Sequence, residues 1–192
     1  MAILKIARMG HPVLKTPASP VEDPKSPEIK ALVGDMVETM IDADGTGLAA
    51  PQVHVSLRIV VFFVDGARMR GEGEFTGDDG DEDAGVPLTV MINPEIEPLS
   101  DETEADWEGC LSVPGMSGEV PRFNHIRYRF LGLDGKTHER EAKGFHARVV
   151  QHECDHLDGI LYPQRIVDMK RFGFTDALMQ GARRHPDDIG EE

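Results

Sequence analysis

His152-Glu153-Cys154-Asp155-His156 limits what this chain can be more than any other stretch. Histidines four apart share a face only on an α-helix, where residues i and i+4 lie one turn above each other. Two imidazoles so placed can reach one metal ion, and Glu153, beside the first of them, is positioned to act on a water at that ion. Gly144 and Gly159 read as the opening and the close of this helix. The H-E-x-x-H pattern also arises by chance in ordinary helices with surface histidines, so a second stretch has to decide the matter.

A catalytic metal centre takes three protein ligands and keeps an open position. The helix offers two. Cys154 sits about 200° around the helix from His152, faces away from any ion there, and reads as packing. Downstream, a metzincin-like third histidine would fall at Tyr162, and the range where gluzincins place a glutamate holds only Asp168 and Asp176. Upstream, Cys110 in Gly109-Cys110-Leu111-Ser112 offers a soft thiolate, and a His₂Cys set suits Zn or Fe. A disulfide between the two cysteines is not expected in a reducing compartment.

At 192 residues the chain suits one domain with a full core, and 1–192 reads as a single catalytic domain. A net charge of −15 argues against a broad nucleic-acid surface. Lys170, Arg171, Arg183 and Arg184 are too few on so acidic a protein to mark a docking patch, and a solvated face is the simpler reading. The N-terminus lacks a signal-peptide apolar run and no segment is long enough to span a bilayer, so the cytoplasm is the expected compartment.

Along the chain, residues 3–24 mix scattered apolar residues with prolines and predict extended, irregular structure. Ser26-Pro27-Glu28 starts a helix, with Ile29, Leu32, Val33, Met36, Val37 and Met40 as its core stripe through about Asp42. Gly45–Gln52 reads as a tight turn whose small residues also let an extended peptide lie against the backbone. It matches neither a phosphate loop nor a dinucleotide fingerprint. Leu57–Val64 is a strand; Leu88–Ile96 is another, with Asn93-Pro94 marking an edge or a bulge. Between them Gly71–Gly85 carries seven acids and no base, and reads as a solvated loop insertion rather than a calcium site. Val120–Leu133 and Lys136–Ala142 flank the hairpin signal Asp134-Gly135. Ile166–Ala182 is expected to be helical, and 183–192 a frayed tail.

Gly45–Gln52, Glu108–Ser112 and Gln151–Gly159 resemble the three motifs of the peptide deformylases, in order and at suitable separations. Arg8-Met9-Gly10-His11-Pro12-Val13-Leu14 is similar as well, so the resemblance spans roughly residues 8–165. It implies an α+β fold with β-sheets surrounding the central helix that carries H-E-x-x-H. It also implies a hydrolase that removes the formyl group from the N-terminal formyl-methionine of newly made chains. Cys110, His152 and His156 would bind the metal, Fe(II) first, with zinc, nickel or cobalt as substitutes. Glu153 would move the proton, and Gln52 and the Leu111 backbone N–H would stabilise the oxyanion. Gly47 would offer backbone hydrogen bonds to the peptide. The implied partner is an N-formylmethionyl nascent peptide, with a transient contact with the ribosome left open; the charge gives no direct sign of a nucleic-acid partner, and no membrane partner is expected.

Phe145, Arg148 and Val149 fall on one helical stripe with His152 and His156. Phe145 and Val149 can wall a pocket for the methionine side chain or simply be core. Arg148 can cover the pocket mouth with its stem while its guanidinium stays in water, or be wholly solvated. Glu108 and Arg122 are expected to form a structural ion pair. A zinc endopeptidase would need the missing downstream ligand, and a purely structural metal module would need a fourth.

Overall fold

The first helix begins where its sequence says it should. In the computed structural model, which describes residues 2–64, 66 and 85–183, the Ser26 hydroxyl accepts from the Ile29 amide at 3.3 Å and caps α1 (Pro27–Asp42). Its stripe buries Ile29, Val33, Met36 and Met40 against the start of a sheet, together with Leu48, Ile59 and Val61. The segment before it is irregular as expected, apart from a 3-10 turn at Pro12–Lys15.

That sheet has five antiparallel strands in the order β1 (Gly47–Ala49), β2 (Ile59–Val64), β3 (Val86–Pro98), β6 (His125–Leu131) and β7 (Thr137–Lys143). Asn93-Pro94 marks a bulge and not an edge, because β3 lies in the middle of the sheet. Asn93 adopts φ +51°, and its side chain accepts from the Val21 amide and donates to the Val21 carbonyl, both at 2.9 Å. The missing amide hydrogen of Pro94 therefore falls where the ladder is already interrupted. The β6–β7 hairpin forms, with residues 132–136 as its link in place of a two-residue turn.

A second sheet holds β4 (Thr103–Cys110), β5 (Val113–Phe123) and β8 (Phe172–Phe174). The expected single arm Val120–Leu133 is thus two strands in two sheets. Asn124 makes the break: its amide bonds to the Glu102 carbonyl at 3.0 Å, and its side chain accepts from the Gly144 amide at 3.1 Å. The expected helix over Ile166–Ala182 is also corrected. A 3-10 turn (Met169–Arg171) and β8 precede α3 (Thr175–Arg183). Phe172 is drawn into the core against Tyr162, and Gly118 opposite leaves room for it, since a Cβ there would lie 3.1 Å from the Phe172 ring and 2.5 Å from Ile166. The acidic loop expected at 71–85 lies outside the described residues up to Gly85, as does the tail from 184.

Between the two sheets runs α2 (Gly144–Leu157), in contact with β1, β2 and β7 on one side and β5 on the other. Its apolar residues Ala147, Val149, Val150, Cys154 and Leu157 join Phe62, Met91, Ile126 and Tyr128 in the central core. Gly159 closes it with φ +73°, where a Cβ would come within 2.7 Å of the Lys15 carbonyl carbon. Helix between sheets is the α+β architecture the resemblance implies.

Candidate metal centre and active site

β4 delivers Cys110 to the helix. A register shift between Gly109 and Cys110 ends the regular ladder there. One donor atom each from Cys110, His152 and His156 lies within 4.8 Å of the others, and the Cys110 sulfur is 3.3 Å from His156 Nε2. His152 Nδ1 is 2.8 Å from Glu108 Oε2. With Nδ1–H donating to the carboxylate, the Nε2 lone pair is the one left for a metal. Cys154 is buried in the core cluster on the other side of the helix, where burial pushes its thiol up, as expected of packing.

Glu108 is the hub behind the ligands. Arg122 grips both its oxygens, Nε to Oε1 at 2.8 Å and Nη2 to Oε2 at 3.0 Å, so the anticipated ion pair is present. Burial opposes ionisation of Glu108, yet the bonds from His152 and Arg122 outweigh it and hold the carboxyl far below the usual range. Arg122 also reaches Asp155 Oδ2 at 2.5 Å, and Arg165 binds Asp155 from outside at 2.7 Å. Asp155 and Arg165 escaped the sequence reading: Asp155 is three residues after His152, but nothing in the pattern says which arginine turns toward it.

Arg148 corrects the expectation. Its guanidinium is not in water at a pocket mouth but buried, donating to Glu108 Oε1 at 3.0 Å and to the carbonyls of Val120 at 2.7 Å and Glu104 at 2.8 Å. Arg148 also borders the cavity. The physical reason is that two strands end their carbonyls on one spot beside an ionised Glu108, a site that a five-donor fork fills.

The cavity in front of the cluster is about 540 Å³. Gln52, Cys110, His152 and Glu153 form its depth, and Phe145, Val149 and Leu111 line it too. Gln52 is fixed in orientation: its Oε1 accepts from the Ala49 amide at 2.8 Å, while Nε2 points to Ser112 Oγ at 3.1 Å and the Cys110 sulfur at 3.5 Å. Glu153 is buried, Oε2 has no hydrogen-bond partner among the described residues, and burial pushes its carboxyl up to about 7. Gly47, on the edge strand β1, allows this carboxylate in, because a Cβ there would lie 2.6 Å from Glu153 Cδ. A soft thiolate, two imidazoles with a set tautomer on one and an unpartnered buried carboxylate beside them fit a divalent metal.

The sequence model of the family described as polypeptide deformylase matches residues 3–172. The chain belongs to the peptide deformylase family. Peptide deformylase 1 of Bordetella pertussis is 54% identical over 174 residues, 90% of this chain and 93% of that one. Peptide deformylase 1 of Nitrosomonas europaea is 48% identical over 179 residues, 93% of this chain and 96% of that one. The fold of a peptide deformylase from Ehrlichia chaffeensis superposes with a TM-score of 0.75 at 36% identity, covering 88% of this chain and 90% of that chain. A class I type b peptide deformylase from Acinetobacter baumannii, bound to Met-Ala-Ser, gives a TM-score of 0.73 at 36% identity over 85% of this chain and 98% of that chain. The chain is therefore a metal-dependent hydrolase that removes the formyl group from the N-terminal formyl-methionine of newly made polypeptides and releases formate. Both rival readings, endopeptidase and structural metal module, fall away with that membership. No helix among the described residues is long and apolar enough to cross a membrane.

Proposed function

We propose that Cys110 Sγ and the Nε2 atoms of His152 and His156 hold one divalent ion in this deformylase, Fe(II) in first place, with zinc, nickel or cobalt able to substitute. When bound, the ion supplies Lewis-acid polarisation and makes a neighbouring water more acidic. Glu153 Oε2 takes a proton from the water that attacks the formyl carbon, then hands it to the departing amine as the C–N bond breaks. Gln52 Nε2 and the Leu111 backbone N–H donate to the oxygen that gains negative charge. Gly47, on the open edge of β1, pairs with the peptide backbone. Phe145 and Val149 wall the methionine pocket. Arg148 contributes its stem there, while its head anchors Glu108 and through it His152. Residues 1–192 act as one catalytic domain in the cytoplasm, meeting nascent chains with at most a transient ribosome contact and no nucleic-acid or membrane surface of its own.

The observation that carries this reading is the buried Glu153, with one oxygen unpartnered among the described residues, in a cavity it shares with Cys110 and His152 of the convergent Cys–His–His set. General acid–base catalysis contributes about 10²–10⁴-fold. Glu153→Ala should lose that much turnover on formyl-Met-Ala while keeping its metal. Cys110→Ser should lose the metal, and Cys154→Ser should keep it. Metal content and formate release, measured on one preparation of each variant, decide: activity of Glu153→Ala within a few-fold of wild type, or stoichiometric metal in Cys110→Ser, would overturn the assignment. The Fe(II) form should lose activity in air, and undiminished turnover after hours of aeration would exclude Fe(II) as the working metal.

A further inference from the structure

We propose that Tyr162 is a positioning residue of the metal centre: its ring backs the His152 imidazole, and its hydroxyl ties that ligand to the strand segment that presents Cys110. The inference rests on the ligand set assigned above and extends it to a residue outside the three motifs.

A metal-binding imidazole needs its ring plane fixed as well as its tautomer. Glu108 sets the tautomer of His152 through one contact, Nδ1 to Oε2 at 2.8 Å. A single hydrogen bond leaves the ring able to swing about it, and a swing carries Nε2 away from its place. A flat group against the ring limits that motion, and Tyr162 supplies one. Its ring lies nearly parallel to the imidazole, with centroids 6.1 Å apart and 23° between the planes. His156 meets the same imidazole edge-on, at 5.1 Å and 81°.

The phenol is buried and is not among the residues that line the catalytic cavity, so it works through groups that are. Its hydroxyl donates to the Met116 carbonyl at 3.0 Å. Met116 ends an irregular stretch of β5. Gly109 pairs with Ser117 but Cys110 pairs with Val113, so Pro114, Gly115 and Met116 leave the ladder where β4 presents the thiolate. The Met116 carbonyl stands beside Gly109, 3.9 Å from where a Cβ would lie. The turn that carries Tyr162 is itself fastened to α2. Gln164 Oε1 accepts from the Leu161 amide at 2.7 Å, and Arg165 binds Asp155 at 2.7 Å. One side chain thus joins the helix, through the His152 ring, to the β4–β5 segment, through Met116. Phenylalanine would keep the first contact and lose the second. Position 162, where a metzincin-like chain would carry a third histidine, holds a ligand in place and does not supply one.

The test uses the full chain loaded with Co(II), whose thiolate charge-transfer band reports Cys110 and whose d–d bands report ligand geometry. Affinity is read by competition with a chelator. Tyr162→Leu loses both ring and hydroxyl, and should bind Co(II) about 10–100-fold more weakly with shifted d–d bands. Tyr162→Phe restores the ring, and should be weaker than wild type by about three- to tenfold, the worth of one neutral hydrogen bond. Leu161→Ala loosens the same buried cluster without a ring or hydroxyl to lose. It should lower the urea midpoint yet keep Co(II) affinity within about twofold and the spectrum unchanged. Wild-type affinity and spectrum in Tyr162→Leu would overturn the role, as would a loss in Tyr162→Phe or Leu161→Ala as large as that in Tyr162→Leu. If Tyr162→Leu does not fold, Tyr162→Phe decides, and unchanged affinity there overturns the proposal. A wild-type spectrum without the thiolate band would instead bring down the assignment of Cys110, and this inference with it.

Discussion

Gly47 shapes the chemistry by lacking a side chain. It lies on β1 opposite Phe62, and the Glu153 carboxylate fills the space that any Cβ would need: 2.6 Å from Cδ and 2.8 Å from Cγ. Its backbone is not in the left-handed region, so alanine there is a steric problem and not a conformational one. Gly47→Ala must therefore push the carboxylate aside. A displacement of about 1 Å in a catalytic group costs about 100-fold in rate. We expect that loss in turnover on formyl-Met-Ala with metal content unchanged, since the added methyl meets Glu153 and none of Cys110, His152 or His156. Metal analysis alongside steady-state kinetics checks it, and a loss under threefold would mean that Glu153 tolerates more positions than its tight seat suggests. The residue scale also separates what sequence could show from what it could not. Glu153 and the two histidines were legible because their spacing is local, and Cys110 because few residue types can serve as a third ligand and the downstream positions lack one. Arg148 was not, because its partners are carbonyls of Glu104 and Val120 on strands that only the folded chain brings beside it.

Helix α2 carries its chemistry on a polar face that is buried, which makes its charge balance a matter of stability. Arg148 and Arg122 together neutralise Glu108 and Asp155 out of water. Arg148→Met keeps the stem but leaves Glu108 with one guanidinium fewer and takes the Arg148 donor from the Val120 and Glu104 carbonyls. Removing one partner of a buried pair costs about 3–5 kcal/mol, and because Arg122 stays, the lower end is expected. A urea midpoint shifted by less than the equivalent of about 1 kcal/mol would contradict this. Two residues earlier, on another face of the helix, His146 is buried against Phe62 and Tyr128, with Nε2 3.0 Å from the Tyr128 hydroxyl. Burial lowers its pKa to about 4 from the ordinary 6.5. The folded state thus resists a proton that the unfolded chain accepts. Its contribution is complete above pH 6.5 and is lost progressively as pH falls toward 4, by roughly 3 kcal/mol in all. His146→Gln, which cannot titrate, should show a flatter stability profile between those limits; parallel profiles for the two proteins would refute the assignment. At this scale, α1 and α2 were readable from caps and periodicity. The split at Asn124 and the strand β8 were not, because both depend on which sheet edge is open when the chain arrives.

On the scale of the whole molecule, the two sheets contribute different parts of one site across the helix between them. The second sheet supplies Cys110 and Glu108 from β4, and the five-stranded sheet supplies Gly47 from its edge. A perturbation that leaves both sheets and the helix in register should therefore leave the chemistry alone, and the acidic stretch allows that to be tested. Val64 pairs with Val86, so the β2–β3 ladder is closed up to both ends of the intervening chain. An Asn-Gly turn is the shortest link that suits such a ladder. Replacing residues 65–85 with Asn-Gly shortens the connection about tenfold, which favours the folded state by roughly 2 kcal/mol through the smaller closure entropy. It removes eight acidic residues against two arginines, Arg68 and Arg70, and so lowers the net negative charge as well. None of Gln52, Cys110, Leu111, His152, Glu153 or His156 is touched. We expect turnover on formyl-Met-Ala within twofold of the parent and a higher melting temperature. The stretch departs from β2 two residues beyond Phe62, the partner of Gly47, so the same experiment has a sharp alternative. A large fall in turnover, with the melting temperature raised or unchanged, would mean that these acidic residues act on the cavity and that the site draws on more of the chain than its three motifs.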